Sequence, residues 1–451
     1  MHVWRKIMIM NVGIISIGFE KFRVDLAKKN LAKSVELLKD EPVNLHHHDE
    51  IIMDSKALKQ ALEALEIDTL DLIVVQVGTF PMGELALEML TSLRDTPLFI
   101  WALEDPVTED YNTVPLNAFT GLNMLSSYCK RLGMTFSYAY GGLKDNESLN
   151  RLKTTIKALI TKKTLRHSKF GVIGTRAPGF YLSEVNQLAF KRHVGPSVEY
   201  YAIGELVETA KAFEEEEVSE LRESLADTIN VKKDSGDQLD KTVRVYLAIK
   251  QLVKQENITA LSIRCWPEWQ SLYGISVCPV LSLLNDEGYI TSCEGDVGGL
   301  ATMVIQYAMT GEAPFLADLP TVSRGRVKAW HCGHMPMGLC NGPVSFIEHP
   351  TMKEGIGLAV QGEMKTSDAI TIAKLSEMNE HYRLFMAKGK SVPVDRKLEG
   401  PQTDLVLDKP TTEIVDMIVE NGLEHHYSIA HEDLTPALRE LSKWMDWSVI
   451  E

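Results

Sequence analysis

No run of apolar residues in this 451-residue chain approaches the ~20 needed to cross a bilayer. Basic residues are outnumbered: 47 Lys and Arg stand against 62 Asp and Glu, a net charge of −15. That balance argues against nucleic acid or an acidic membrane surface as the partner. Cysteine is sparse, and the six residues (Cys129, Cys265, Cys278, Cys293, Cys332, Cys340) show no paired spacing, so a disulfide framework is not expected and a reducing, cytoplasmic setting is. His331-Cys332-Gly333-His334 with Cys340 matches none of the usual zinc-knuckle spacings. The first apolar segment is followed by no G-x-G-x-x-G, which sets aside a dinucleotide cofactor there. There is no sequence repeat and no low-complexity tract.

What is present is ordinary core material, 45% hydrophobic, in a chain long enough for about three domains on the usual ~150-residue scale. Arg5-Lys6 before an apolar stretch resembles the start of a signal peptide, but Glu20, Lys21 and Arg23 follow at once. A buried first strand at 12–17 is the expectation. Residues 1–165 then alternate between strand and helix patterns, with strands at 71–77, 97–102 and 135–140 and helices at 22–38, 58–65, 85–93 and 120–132. This is the pattern of a doubly wound α/β domain. A second α/β unit spans 166–323, with strands at 170–174 and 260–264. From 324 to 451 short strand-like runs (327–330, 344–347, 356–361, 369–374) separated by turn residues predict an antiparallel, barrel-like domain.

The most informative stretch is Cys293-Glu294-Gly295-Asp296, a helical pattern over 297–310, and Phe315-Leu316-Ala317-Asp318. Leu300, Met303, Val304, Tyr307 and Ala308 recur at helical spacing and Gly311 is a stop signal. Read as a β-α-β crossover, it puts Glu294 and Asp318 at the carboxyl ends of two parallel strands of one sheet, where open α/β sheets hold ligands. Two converging carboxylates can bind a hard divalent cation or share a proton. The alternative is a pair of solvated loop acids. Asp296 is read as an N-cap. His46-His47-His48 is read as a surface turn, and Arg176 as a structural ion pair in preference to an anion site.

Three motifs, CEGDVGGLATMVIQYAMTGEAPFLAD (293–318), HCGHMP (331–336) and GLEHHYSIAHED (422–433), resemble the L-fucose isomerase / L-arabinose isomerase superfamily, most closely its shorter L-fucose isomerase-like members. SIGFEKFRVDLA (16–27), QVGTF (76–80) and CWPEW (265–269) add to the likeness, which covers most of the chain. The resemblance implies two α/β domains followed by a barrel-like domain. It implies an aldose–ketose isomerase acting through a cis-enediol(ate), with a divalent metal: Mn2+, or else Mg2+ or Co2+. It carries the metal glutamate onto Glu294, the aspartate onto Asp318 and the histidine onto His425, with His426 and His431 as alternatives. Glu294 and Asp318 also become the proton-transfer pair. Glu424 stands where fucose enzymes have an asparagine, which puts inherited substrate contacts in doubt. Trp266, Glu268, His331, Gln76 and Trp101 are substrate-contact candidates. The resemblance further implies a homo-oligomer, perhaps a hexamer, with sites near subunit boundaries. A non-catalytic sugar-binding protein and a metal-assisted sugar epimerase stay open as alternatives.

Overall fold

A computed structural model describes residues 9–106, 114–143, 146–231, 237–352 and 356–451. Arg5 and Lys6 lie outside the described residues. The chain divides into two compact units, Arg5–Ile160 and Thr161–Glu451.

The first unit is a five-stranded, all-parallel sheet in the order Val43–Ile52, Met10–Ile17, Leu72–Val77, Leu98–Leu103, Phe136–Gly141. Strands Leu72–Val77 and Leu98–Leu103 are buried at every position, as expected where helices cover both faces. The helices are Val24–Lys39, Ser55–Ala64, Gly83–Ser92 and Ala118–Arg131, each within a few residues of its predicted span. The strand Val43–Ile52 was missed: His46, His47 and His48 lie in this edge strand and not in a turn. Its polar composition hid it, because only one side of an edge strand pairs with the sheet.

The second unit holds a four-stranded parallel sheet and a barrel. The sheet order is Ile290–Cys293, Ala260–Ile263, Lys169–Ile173, Ser197–Tyr201. The barrel runs Ser367–Met378, Tyr427–Ala430, Phe315–Ser323, Arg326–Trp330, Gln402–Leu407, His381–Val392, and closes by pairing the last strand back onto the first. All six barrel pairings are antiparallel, and closure removes the free edges. Two of the runs expected to belong to the barrel do not. Ser345–Glu348 and Leu358–Gln361 form a small separate sheet with Asn230–Val231.

The expected β-α-β crossover is also corrected. Strand Ile290–Cys293 is an edge of the parallel sheet, but Phe315–Ser323 is a barrel strand flanked by antiparallel neighbours. Helix Val297–Thr310 therefore passes from one layer to the other instead of returning to the same sheet. It is apolar on all sides, with ten of its fourteen residues buried, which fits an element covered on every face. Truncating Leu300, fully buried in it, to alanine costs about 2–5 kcal/mol by the usual scale for buried leucines.

Candidate active site

Antiparallel register brings the site residues together on one rim of the barrel. Asp318 pairs with Trp330, and Ala317 pairs with Tyr427. His331 follows Trp330 and His426 precedes Tyr427, so the two histidines flank Asp318. Glu294 comes from the adjoining sheet, at the turn after Ile290–Cys293. That turn is unusual: Glu294 has φ +63° and Gly295 φ +71°. A left-handed non-glycine residue is costly unless its surroundings fix it. Here they do. The Glu294 carbonyl accepts a hydrogen bond from Ala177 N–H at 3.1 Å. A Cβ on Gly295 would lie 2.5 Å from the Thr175 carbonyl oxygen, so only glycine fits.

His426 is the centre of the constellation. It is 1% exposed. Its Nδ1 lies 2.9 Å from Asp296 Oδ2, and its Nε2 lies 3.5 Å from Glu294 Oε2 and 3.9 Å from Asp318 Oδ1 with no hydrogen-bond partner. Asp296 caps the following helix, as read from the sequence, by accepting from Gly299 N–H at 2.8 Å, but it also orients His426. Lys374 stands behind it, buried, with Nζ 3.7 Å from Asp296 Oδ2 and 3.9 Å from Glu424 Oε2. Burial alone would raise the Asp296 proton affinity. The Lys374 charge and the His426 hydrogen bond outweigh it and hold the carboxyl well below the usual range. For His426, burial opposes the charged form, but Asp296, Glu294 and Asp318 together raise its pKa.

Asp318 is pushed upward, first by burial and also by Glu294, against the pull of His426 and His425. His425 is largely exposed; its Nε2 is 3.4 Å from Glu294 Oε2, and its ring lies 5.4 Å from that of Phe180. His331 stacks on His426 at 5.6 Å and sits 4.2 Å from the His334 ring. Both are wholly buried; His331 Nε2 and both His334 ring nitrogens have no hydrogen-bond partner. Burial, and then each other histidine's charge, lowers His331 strongly; burial lowers His334 to about 4. Orphaned buried nitrogens facing carboxylates are the donor set a divalent cation satisfies. Glu294, His425 and His426 each offer a donor atom within 4.8 Å of the others.

The remaining candidates lie elsewhere or serve other contacts. His431 lines a different cavity of about 350 Å³ with Asp286, Glu312 and Lys365. Glu268 is ion-paired with Arg264, and Trp266 packs on the apolar core of the second unit. Arg176 makes the expected ion pair, 3.0 Å to Glu184. Gln76 and Trp101 are buried within the first sheet, where Gln76 Nε2 donates to Ser34 Oγ at 2.6 Å. Sequence reasoning missed Lys374 and the second role of Asp296. The available signal was a lone lysine inside the strand stretch Ile370–Leu375, otherwise apolar or small.

The L-arabinose isomerase central domain matches residues 181–312. The sulfoquinovose isomerase of Priestia aryabhattai is 26% identical over 439 residues, covering 96% of this chain and 97% of that protein. The sulfoquinovose isomerase of Clostridium sp. (strain MSTE9) is 24% identical over 438 residues, with 96% of each chain covered. The L-arabinose isomerase of Geobacillus thermodenitrificans is 25% identical over 174 residues, 37% of this chain and 34% of that one. These matches make the chain similar, over nearly its whole length at about a quarter identity, to isomerases of free sugars. As an enzyme, it is an aldose–ketose isomerase.

Proposed function

We propose that the protein is a metal-dependent ketol isomerase of the L-fucose isomerase-like branch, and that its substrate is a free aldose with an acidic group at C6, sulfoquinovose first among them. The near full-length similarity to sulfoquinovose isomerases supports the substrate class. The observation that carries the mechanism is His426: Asp296 fixes Nδ1, leaving an unpartnered Nε2 facing Glu294 and Asp318. Orienting one ring nitrogen with a carboxylate so that the other can ligate is a recurrent device of metal sites.

In this reading Glu294, Asp318 and His426 hold the cation, and His425 takes the exposed flank named for the third ligand from sequence. Oxygen donors with one imidazole favour Mn2+, Mg2+ or Co2+. When bound, the cation supplies a positive charge that polarises the sugar carbonyl and steadies the developing oxyanion. Asp318 moves the proton between C1 and C2, a carboxylate beside the reacting carbons taking it from one and returning it to the other. Lys374 keeps Asp296 ionised and hence His426 aimed. Tyr181, Leu182 and Val419, each about 70% exposed or more, line apolar depressions beside His425. They suit the homo-oligomer, perhaps a hexamer, that the resemblance implies, and light scattering measures its size.

The test is a screen of aldoses, sulfoquinovose included, with added Mn2+. Ketose formed by the wild type and not by Glu294→Gln supports the proposal. An epimeric aldose as the product, or no turnover of any C6-acidic sugar, rejects it.

A further inference from the structure

Behind the catalytic histidines the fold gathers sulfur. Cys278 opens the helix Cys278–Asp286, Cys332 lies in the segment after strand Arg326–Trp330, and His349 follows strand Ser345–Glu348. Cys278 Sγ is 3.4 Å from His349 Nε2, and all three residues offer donor atoms within 4.8 Å of one another. Cys278 and His349 are buried and Cys332 partly so. The gap between them is kept by a residue with no side chain: a Cβ on Gly333 would lie 2.9 Å from Cys278 Sγ and 2.9 Å from His349 Nε2.

We propose that Cys278, Cys332 and His349 form a zinc site separate from the isomerase centre, bracing the segment that carries His331. Zinc–sulfur and zinc–nitrogen bonds of about 2.3 and 2.0–2.1 Å place neighbouring tetrahedral ligands about 3.5–3.8 Å apart. The observed spacings reach this with small adjustments. Two thiolates and an imidazole with no carboxylate select a softer ion than the Glu294 site does. The helix N-terminus at Cys278 favours its thiolate. His349 Nδ1 lies 3.4 Å from the Thr351 N–H, which donates to it, and 3.4 Å from Thr351 Oγ1; ligation through Nε2 requires the other tautomer, with the ring proton on Nδ1 and Oγ1 as its acceptor. Cys332 Sγ also lies 3.5 Å from His331 Nδ1, so the ion would hold in place the ring that stacks on His426. A redox pair fits less well, because the wholly buried Cys278 lacks the access that reactive thiols need.

The spacing of Cys278 from Cys332 in sequence gave no hint of this cluster. The experiment uses the full chain loaded with Co2+. Thiolate ligation gives an intense near-ultraviolet charge-transfer band that an oxygen and nitrogen site cannot give, so the result is independent of the isomerase reading. The expected outcome is a stoichiometric band, present in Glu294→Gln, lost in Cys278→Ser and Cys332→Ser, and displaced by Zn2+. On the wild type, Zn2+ should also protect Cys332, the partly exposed thiol of the pair, from alkylation, a readout that needs no variant to fold. A folded, Co2+-treated wild type without the band, a Cys332 that Zn2+ leaves unprotected, or a native Cys278–Cys332 disulfide by mass overturns the proposal.

Discussion

The two parallel sheets are built from the same alternation of strand and helix, yet they treat polar groups at their strand ends differently. In the first unit, Gln76 near a strand end is buried and bonds to Ser34 through Nε2, while its Oε1 and the nearby Ser16 Oγ and Trp101 Nε1 have no partner. In the second, the turn after Ile290–Cys293 holds Glu294 left-handed and faces it toward a buried histidine with a free nitrogen. Fold pattern alone does not separate the two. Unmatched atoms occur in both; what separates them is that only the second gathers carboxylates around an unpartnered imidazole nitrogen, a set of charged groups that is costly to bury without a ligand.

The contrast can be broken most sharply at Glu294. Glu294→Gln should lower kcat/KM by about 10³-fold or more while circular dichroism and melting stay close to wild type, since positioned acid–base and metal contacts are worth that much. Near-normal turnover would remove Glu294 from the chemistry. Next comes Lys374→Met, which leaves Asp296 buried without its cation. A loss of about 3–5 kcal/mol in unfolding free energy is expected, together with about 10–100-fold weaker Mn2+ binding, the usual effect of disturbing a ligand's support. Isothermal titration and urea melts read both, and unchanged metal affinity would show that Lys374 only fills space.

A smaller effect comes from pH. His334 titrates near 4 in the fold against an ordinary 6.5, so the unfolded chain takes up the proton first. Its contribution is complete above pH 6.5 and is lost as pH falls toward 4, about 3 kcal/mol in all. His331 acts in the same direction, and His426, whose pKa is raised, acts in the opposite one. Urea midpoints of the metal-free protein should therefore fall less steeply with acid in His334→Gln than in wild type; equal slopes would contradict the burial argument. The smallest effect is expected at Gln76→Met, which removes one buried hydrogen bond and should cost about 1 kcal/mol of stability. Turnover abolished in a folded Gln76→Met protein would show that the first sheet, too, serves a site.

Much of this was legible in the sequence because the signals were local. The apolar runs at Leu72–Val77 and Leu98–Leu103, the helical spacing after Asp296 and its capping role all follow from short-range rules. The acid pair was also visible, but its geometry was misread. Whether Phe315–Ser323 returns to the parallel sheet or enters a barrel depends on partners at Trp330 and Tyr427, which no local pattern encodes. The same holds for Lys374, whose meaning comes from Asp296 and Glu424, and for Cys278, brought to Cys332 only by the fold. Between two adjacent histidines, sequence favoured His425; register and burial place His426 against Asp296, Glu294 and Asp318.

The proposed role of a divalent cation at Glu294, Asp318 and His426 is read by ketose formation from sulfoquinovose by chelator-treated protein, before and after Mn2+ is added. No turnover is expected before addition and full recovery after it, in the wild type but not in His426→Ala. Undiminished turnover in excess chelator would contradict it.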